Sequence, residues 1–137
     1  MKKTITVSVS LVLVILLCLV SCGNNKDPWA DAVYTENTSF GEGETTIEVE
    51  VKVNDNAVTF TVNTDKTTLG DALTEHSLID GEAGAYGLYV KKVNGITADY
   101  DKDQSYWAFY KNGDALMSGV DTTEISNGEH YEIVYTK

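Results

Sequence analysis

Arginine is absent from the 137-residue chain, and its basic charge comes from ten lysines set against 21 aspartates and glutamates. Nucleic-acid recognition needs cations that displace condensed counterions, and arginine is the side chain most used to read bases and phosphates. A net charge of −11 with no arginine therefore turns the chain away from that class. Proline occurs once, at Pro28, cysteine twice, at Cys18 and Cys22, and histidine twice, at His76 and His130. Two thiols build neither a disulfide framework nor a thiolate metal cluster. His76 and His130 are far apart and outside any His-Glu-x-x-His pattern, and His76 falls on an apolar helical face, as a core or boundary histidine does. The glycines at 81, 84 and 87 lack a following Lys-Ser or Lys-Thr, which excludes a phosphate loop. Asp99-Tyr100-Asp101-Lys102-Asp103 opens like a calcium loop, but Gln104 stands where glycine is needed and Tyr110 where the bidentate glutamate belongs, leaving an acidic loop. With carboxylates this numerous, chance pairs are expected, and no constellation reads as catalytic. The chain is expected to be no enzyme, with no required cofactor and no metal site.

What is present begins at the N-terminus. Lys2 and Lys3 precede about sixteen mostly apolar residues, Ile5 to Val20, and Leu19-Val20-Ser21-Cys22 closes the run. This order of charged region, apolar region and small residue before cysteine is a lipobox. It predicts a signal peptide over residues 1–21, cleavage after Ser21 and a diacylglyceryl thioether on Cys22. The run is short of the roughly twenty residues a membrane-crossing helix requires. The expected location is the extracytoplasmic face of the cell membrane, by lipid anchor. Cys18 and two of the ten lysines leave with the signal, so eight lysines face 21 acidic residues in residues 22–137, a balance of −13. An acidic surface of this kind favours solubility beside an anionic membrane.

Residues 22–43 read as the lipidated cysteine and a flexible tether, polar and without sustained periodicity. Trp29 and Tyr34 are its apolar exceptions, and packing on the domain, the lipid interface and a solvated linker all remain open for them. Residues 44–137 form the predicted domain. Ile47, Val49, Val51 and Val53 alternate with Glu48, Glu50 and Lys52; after an Asn54-Asp55-Asn56 turn, Val58, Phe60 and Val62 alternate with Thr59 and Thr61. These are the two strands of a hairpin. Thr68 and Asp71 resemble a capping box, and Leu69, Ala72, Leu73, His76 and Ile79 then share one helical face. Asn-Gly pairs at 94–95, 112–113 and 127–128 punctuate strands near Gly87–Val93, Ser105–Tyr110 and Glu129–Thr136. The expected fold is α+β, a β-grasp-like mixed sheet in the order β-β-α-β-β-β packed on one helix.

Tyr86-Gly87-Leu88-Tyr89-Val90, Val93-Asn94-Gly95-Ile96, Tyr106-Trp107-Ala108-Phe109-Tyr110, Gly119-Val120-Asp121 and Asn127-Gly128-Glu129-His130-Tyr131 follow one another in this chain. As a series they resemble the C-terminal β-domain of transcobalamin and intrinsic factor, and the chain is similar to bacterial lipoproteins of the DUF4430 kind. In that family the β-domain is half of a clamp around a corrinoid, and an all-helical barrel is the other half. The resemblance implies that Tyr86, Gly87 and Leu88 and the pair Trp107 and Ala108 face the ligand, with Trp107 as an aromatic plane and Leu88 as apolar contact. The family's Trp-Gln pair is Trp107-Ala108 here, and residues 22–137 hold no helical barrel. The implied function is capture of cobalamin or a related corrinoid for hand-over to a transporter or a helical-barrel partner.

The residues by themselves leave a second set of readings open. A strand tryptophan among aromatics equally fits the core, and Gly87 equally fits a bulge. Eight tyrosines serve a recognition surface or a core alike. A non-catalytic protein-interaction or adhesion module at the cell envelope stands beside ligand capture.

Overall fold

In the computed structural model the described residues are 26–137, so the expected signal peptide, lipobox and lipidated Cys22 lie outside them. Strands β1 (Thr38–Phe40), β2 (Thr45–Val53) and β3 (Asn56–Thr64) open the domain. The alternation along β2 and β3 becomes a face: Ile47, Val49, Val51, Val53, Val58, Phe60 and Val62 are buried, whereas Glu48 points to solvent. β2 and β3 pair antiparallel from Thr45↔Thr64 to Val53↔Asn56, the hairpin expected from the sequence.

Helix α1 (Leu69–Glu75) follows, with Thr68 Oγ1 accepting from the Asp71 N–H at 3.2 Å. It buries Leu69, Ala72 and Leu73. It ends earlier than the apolar spacing suggests. Ser77 adopts φ 56°, its N–H donates to Thr74 O and the Leu78 N–H donates to Leu73 O, which together close a Schellman-type stop. Ile79 therefore leaves the helical face and begins β4 (Ile79–Gly84), a strand the glycine-rich sequence did not announce.

β4, β5 (Gly87–Val93) and β6 (Ile96–Thr97) make a separate three-stranded sheet in that order. A short helix α2 (Tyr100–Asp103) leads to β7 (Tyr106–Lys111), β8 (Asp114–Ala115) and β9 (His130–Thr136). The larger sheet runs β1-β3-β2-β9-β7-β8, with β9 parallel to β2 and antiparallel to β7. The fold is thus α+β with a mixed sheet, but the strands divide between two sheets rather than one. One apolar core, from Ile47 on β2 through Leu73 on α1 to Ile133 on β9, joins them.

The segment read as a flexible tether is folded from Pro28 onward. Asp27 caps a 3-10 turn over Pro28–Asp31, and β1 pairs parallel to β3 from Thr38↔Phe60 to Phe40↔Val62. Trp29, Tyr34 and Phe40 pack against the core. Tyr34 meets Phe40 and Phe60 edge-on at 5.2 and 5.7 Å. The distant anchor is Asn94, buried at the β5–β6 turn. Its side chain accepts from Tyr34 N–H and donates to Tyr34 O, both at 2.9 Å, while its carbonyl accepts from Val33 N–H. A polar, aperiodic stretch is held here by the side chains of Asn94, Asn37 and Asn63, by the β1–β3 ladder and by three rings, so periodicity could not report it.

Candidate functional site

β5 and β7 lie close enough to make walls, and the connection between β8 and β9 returns past them. Between β5, α2, β7 and residues 116–120 lies a groove of about 540 Å³. Leu88, Tyr89 and Val90 form one side, Tyr100 and Tyr106 one end, and Trp107 and Phe109 the floor, with Leu116, Ser118, Gly119 and Val120 opposite β5. No charged side chain lines it. A second hollow continues across the shared wall of Leu116, Ser118 and Gly119 to Tyr86, Gly87, Met117, Asp121 and Thr122. Tyr86 at 91% exposure and Met117 at 99% form its rim.

Each predicted ligand-facing residue has a definite place. Trp107 is 6% exposed, its Nε1–H donates to Lys91 O at 3.2 Å and its ring meets Tyr135 edge-on at 5.5 Å. It belongs to the core and also lines the groove. Leu88 packs on the core and lines the groove, and its N–H donates to Asp121 Oδ2 at 2.8 Å. Gly87, at φ 101°, has a structural occupant beside it: an added Cβ would stand 2.8 Å from Asp121 Oδ2. Tyr86 and Gly87 line the second hollow rather than the groove.

Ala108 does not line this groove. Side chains alternate along a strand, so Ala108, paired with Val134, lies on the face of β7 opposite Trp107 and Phe109. The lost Trp-Gln amide is therefore not missing from this groove.

Sequence reasoning missed Tyr89, Tyr100, Tyr106 and the wall at 116–120. The first three were visible only as aromatics of undecided role. Gly119-Val120-Asp121 carried part of the resemblance without a site assignment, because its contacts with β5 and α1 are long-range.

Electrostatics around the groove is compensated locally. Lys91, whose Nζ lies 6.0 Å from the Tyr89 ring centroid, is held by Glu82 at 3.3 Å; that partner raises its pKa above the usual lysine value. The acidic loop at 99–103 is α2 and its caps. Asp99 Oδ1 accepts from Asp101 N–H, and Gln104 takes φ 62° as the left-handed cap. Hydrogen bonds from the Ser105 hydroxyl and N–H hold the Asp103 carboxyl below the usual carboxylate range. Among the described residues no group of three or more His, Cys, Asp or Glu side chains converges to hold a metal ion.

Residues 66–137 match the family described as a domain of unknown function, DUF4430. The crystal structure of a candidate metal binding protein from Ruminococcus gnavus ATCC 29149 is similar with a TM-score of 0.65 and 35% identity, over 69% of this chain and 98% of that one. Haptocorrin, crystallised in complex with Cbi, is similar in fold with a TM-score of 0.57 and 20% identity, over 72% of this chain. This chain spans 26% of that haptocorrin chain. No curated protein matches the sequence. The chain belongs to the DUF4430 family, and its fold is similar to that of part of haptocorrin.

Proposed function

We propose that this chain is a non-catalytic capture module for a flat, amphiphilic small molecule, with a cobalamin-type corrinoid as the ligand, handed on to a transporter or a helical-barrel partner. The carrying observation is the uncharged groove between β5 and β7, floored by Trp107 and Phe109 and ended by Tyr100 and Tyr106. A macrocycle with amide arms is suited by aromatic planes for its body and by tyrosine and serine hydroxyls for its edge. Haptocorrin was crystallised with the corrinoid Cbi, cobinamide, which supports this choice by likeness of fold. The strand order β3-β2-β9-β7-β8, with β9 returning parallel beside β2, supports a β-grasp reading of the larger sheet.

The lipobox supports an anchored, extracytoplasmic location, in which Cys22→Ser abolishes labelling by palmitate; equal labelling of mutant and parent refutes the anchor. Titration of residues 26–137 with cobinamide and cobalamin tests capture. Saturable quenching of tryptophan emission is expected. An unquenched signal near millimolar ligand removes corrinoid capture and favours a protein partner at the Tyr86 and Met117 rim.

A further inference from the structure

We infer that Asp121 is the positioning residue that sets the separation of the two groove walls. Its effect on ligand binding rests on the capture reading above; its effect on the walls does not. The wall at 116–120 belongs to a long connection without regular structure, whereas the opposite wall is the start of β5. Asp121 spans the two. Its Oδ2 accepts the Leu88 N–H at 2.8 Å, at the first groove-lining residue of β5.

The carboxylate lies in a slot that two glycines keep open. An added Cβ on Gly87 would lie 2.8 Å from Oδ2, and one on Gly70, in the first turn of α1, would lie 2.5 Å from Oδ1. Neither approach is compatible with a real side chain in place. The residues flanking Asp121 are tied to the same helix: Gly70 N–H donates to Val120 O at 2.9 Å and Leu69 N–H to Thr123 O at 2.8 Å. Within the loop, Thr123 Oγ1 donates to Gly119 O at 2.9 Å, and an added Cβ on Gly119 would come within 3.2 Å of Tyr86 O. Backbone bonds thus fix the loop to α1 and, through Leu116 N–H to Phe109 O, to β7, and among the described residues Asp121 supplies its hydrogen bond to β5. Among the described residues no cation pairs with Asp121, so its charge is met by a backbone N–H, a directional contact that defines distance as well as energy.

The test uses the full chain in mild detergent, with cobinamide as probe and Leu88 amide exchange as a ligand-free readout. Asp121→Ala is expected to speed exchange at Leu88 and to weaken cobinamide binding, each by about tenfold or more. Asp121→Asn offers an amide oxygen to the same N–H and is expected to restore both to within about threefold. Asp114→Ala, which removes the same charge from the exposed β8, should change neither. Should the parent fail to bind cobinamide, the capture reading fails and Leu88 exchange alone judges Asp121. Unchanged Leu88 protection in Asp121→Ala, or no recovery in Asp121→Asn at equal melting temperature, overturns the assignment.

Discussion

Trp107 shows how one side chain serves two tasks and how they can be separated. Its indole is almost fully buried, hydrogen-bonded to Lys91 O and packed on Tyr135, so truncation empties a large core volume. Trp107→Ala is expected to cost roughly 3–5 kcal/mol of folding free energy, read by denaturant unfolding. Loss of binding in that variant reports unfolding as much as contact. Tyr100 is the informative counterpart. It is 53% exposed, stands at the end of the groove and meets Tyr106 at 6.4 Å. Tyr100→Ala should leave stability within about 0.5 kcal/mol and weaken cobinamide binding by about 1–3 kcal/mol. A melting loss without a binding loss would place Tyr100 outside the site.

At the scale of elements, the N-terminal segment is the least expected part of the fold. It joins the domain through Asn94, whose side chain reproduces a strand-like pair of hydrogen bonds with Tyr34, and through β1 beside β3. Asn94→Gly preserves the positive φ of 50° at this turn while deleting the side chain. The expected result is a loss of about 1–3 kcal/mol, since the Tyr34 N–H and C=O lose their partner. Faster proteolysis within residues 29–37 should accompany it. Resistance equal to the parent would mean that the rings of Tyr34 and Phe40 suffice to hold the segment.

The turns show which local signals carry. Asn94-Gly95 and Asn112-Gly113 have positive φ at both residues, as type I′ turns require. At Asn127-Gly128 only the glycine does, and the pair instead braces β2: Asn127 Oδ1 accepts from the Thr46 N–H and the Gly128 N–H donates to Thr46 O, both at 2.7 Å. The same dipeptide was legible as a turn in all three places, but its tertiary task differed.

Across the whole molecule, the acid limb of stability depends on carboxylates held by cations. Burial opposes ionisation of Glu129, but the Lys111 ammonium and the Tyr131 hydroxyl outweigh it and lower its pKa below 4.5. Glu132 is lowered likewise by Lys52, at 2.8 Å. Because both folded values lie below the ordinary ones, their contribution is complete above about pH 5 and is lost as pH falls through the folded values. The bonds from Lys52 to Glu132 and Glu50 raise the lysine, so that component is complete below 10.5 and is lost only as pH rises through the higher folded value. Urea unfolding at about 0.15 M salt, where the repulsion of the net charge of −11 is damped, should show a plateau from pH 5 to 9 and a fall in acid. Glu129→Gln should lower the plateau by about 1 kcal/mol and flatten the acid slope; an unchanged slope refutes the role of this pair.

The hairpin β2–β3, the cap of α1 at Thr68 and the strands β5, β7 and β9 were determined by the sequence itself, because alternation, capping and Asn-Gly turns are local chemistry. Only the tertiary structure decided that residues 28–40 fold back, that Ser77 stops α1 and that β9 inserts parallel to β2. It also assembled the candidate groove. Trp107 was visible as an aromatic in a strand, but whether Ala108 shares its face, which tyrosines surround it and what occupies the space beside Gly87 depend on residues far apart in the chain. Such contacts are set by packing and hydrogen bonding across distance, and no local period records them.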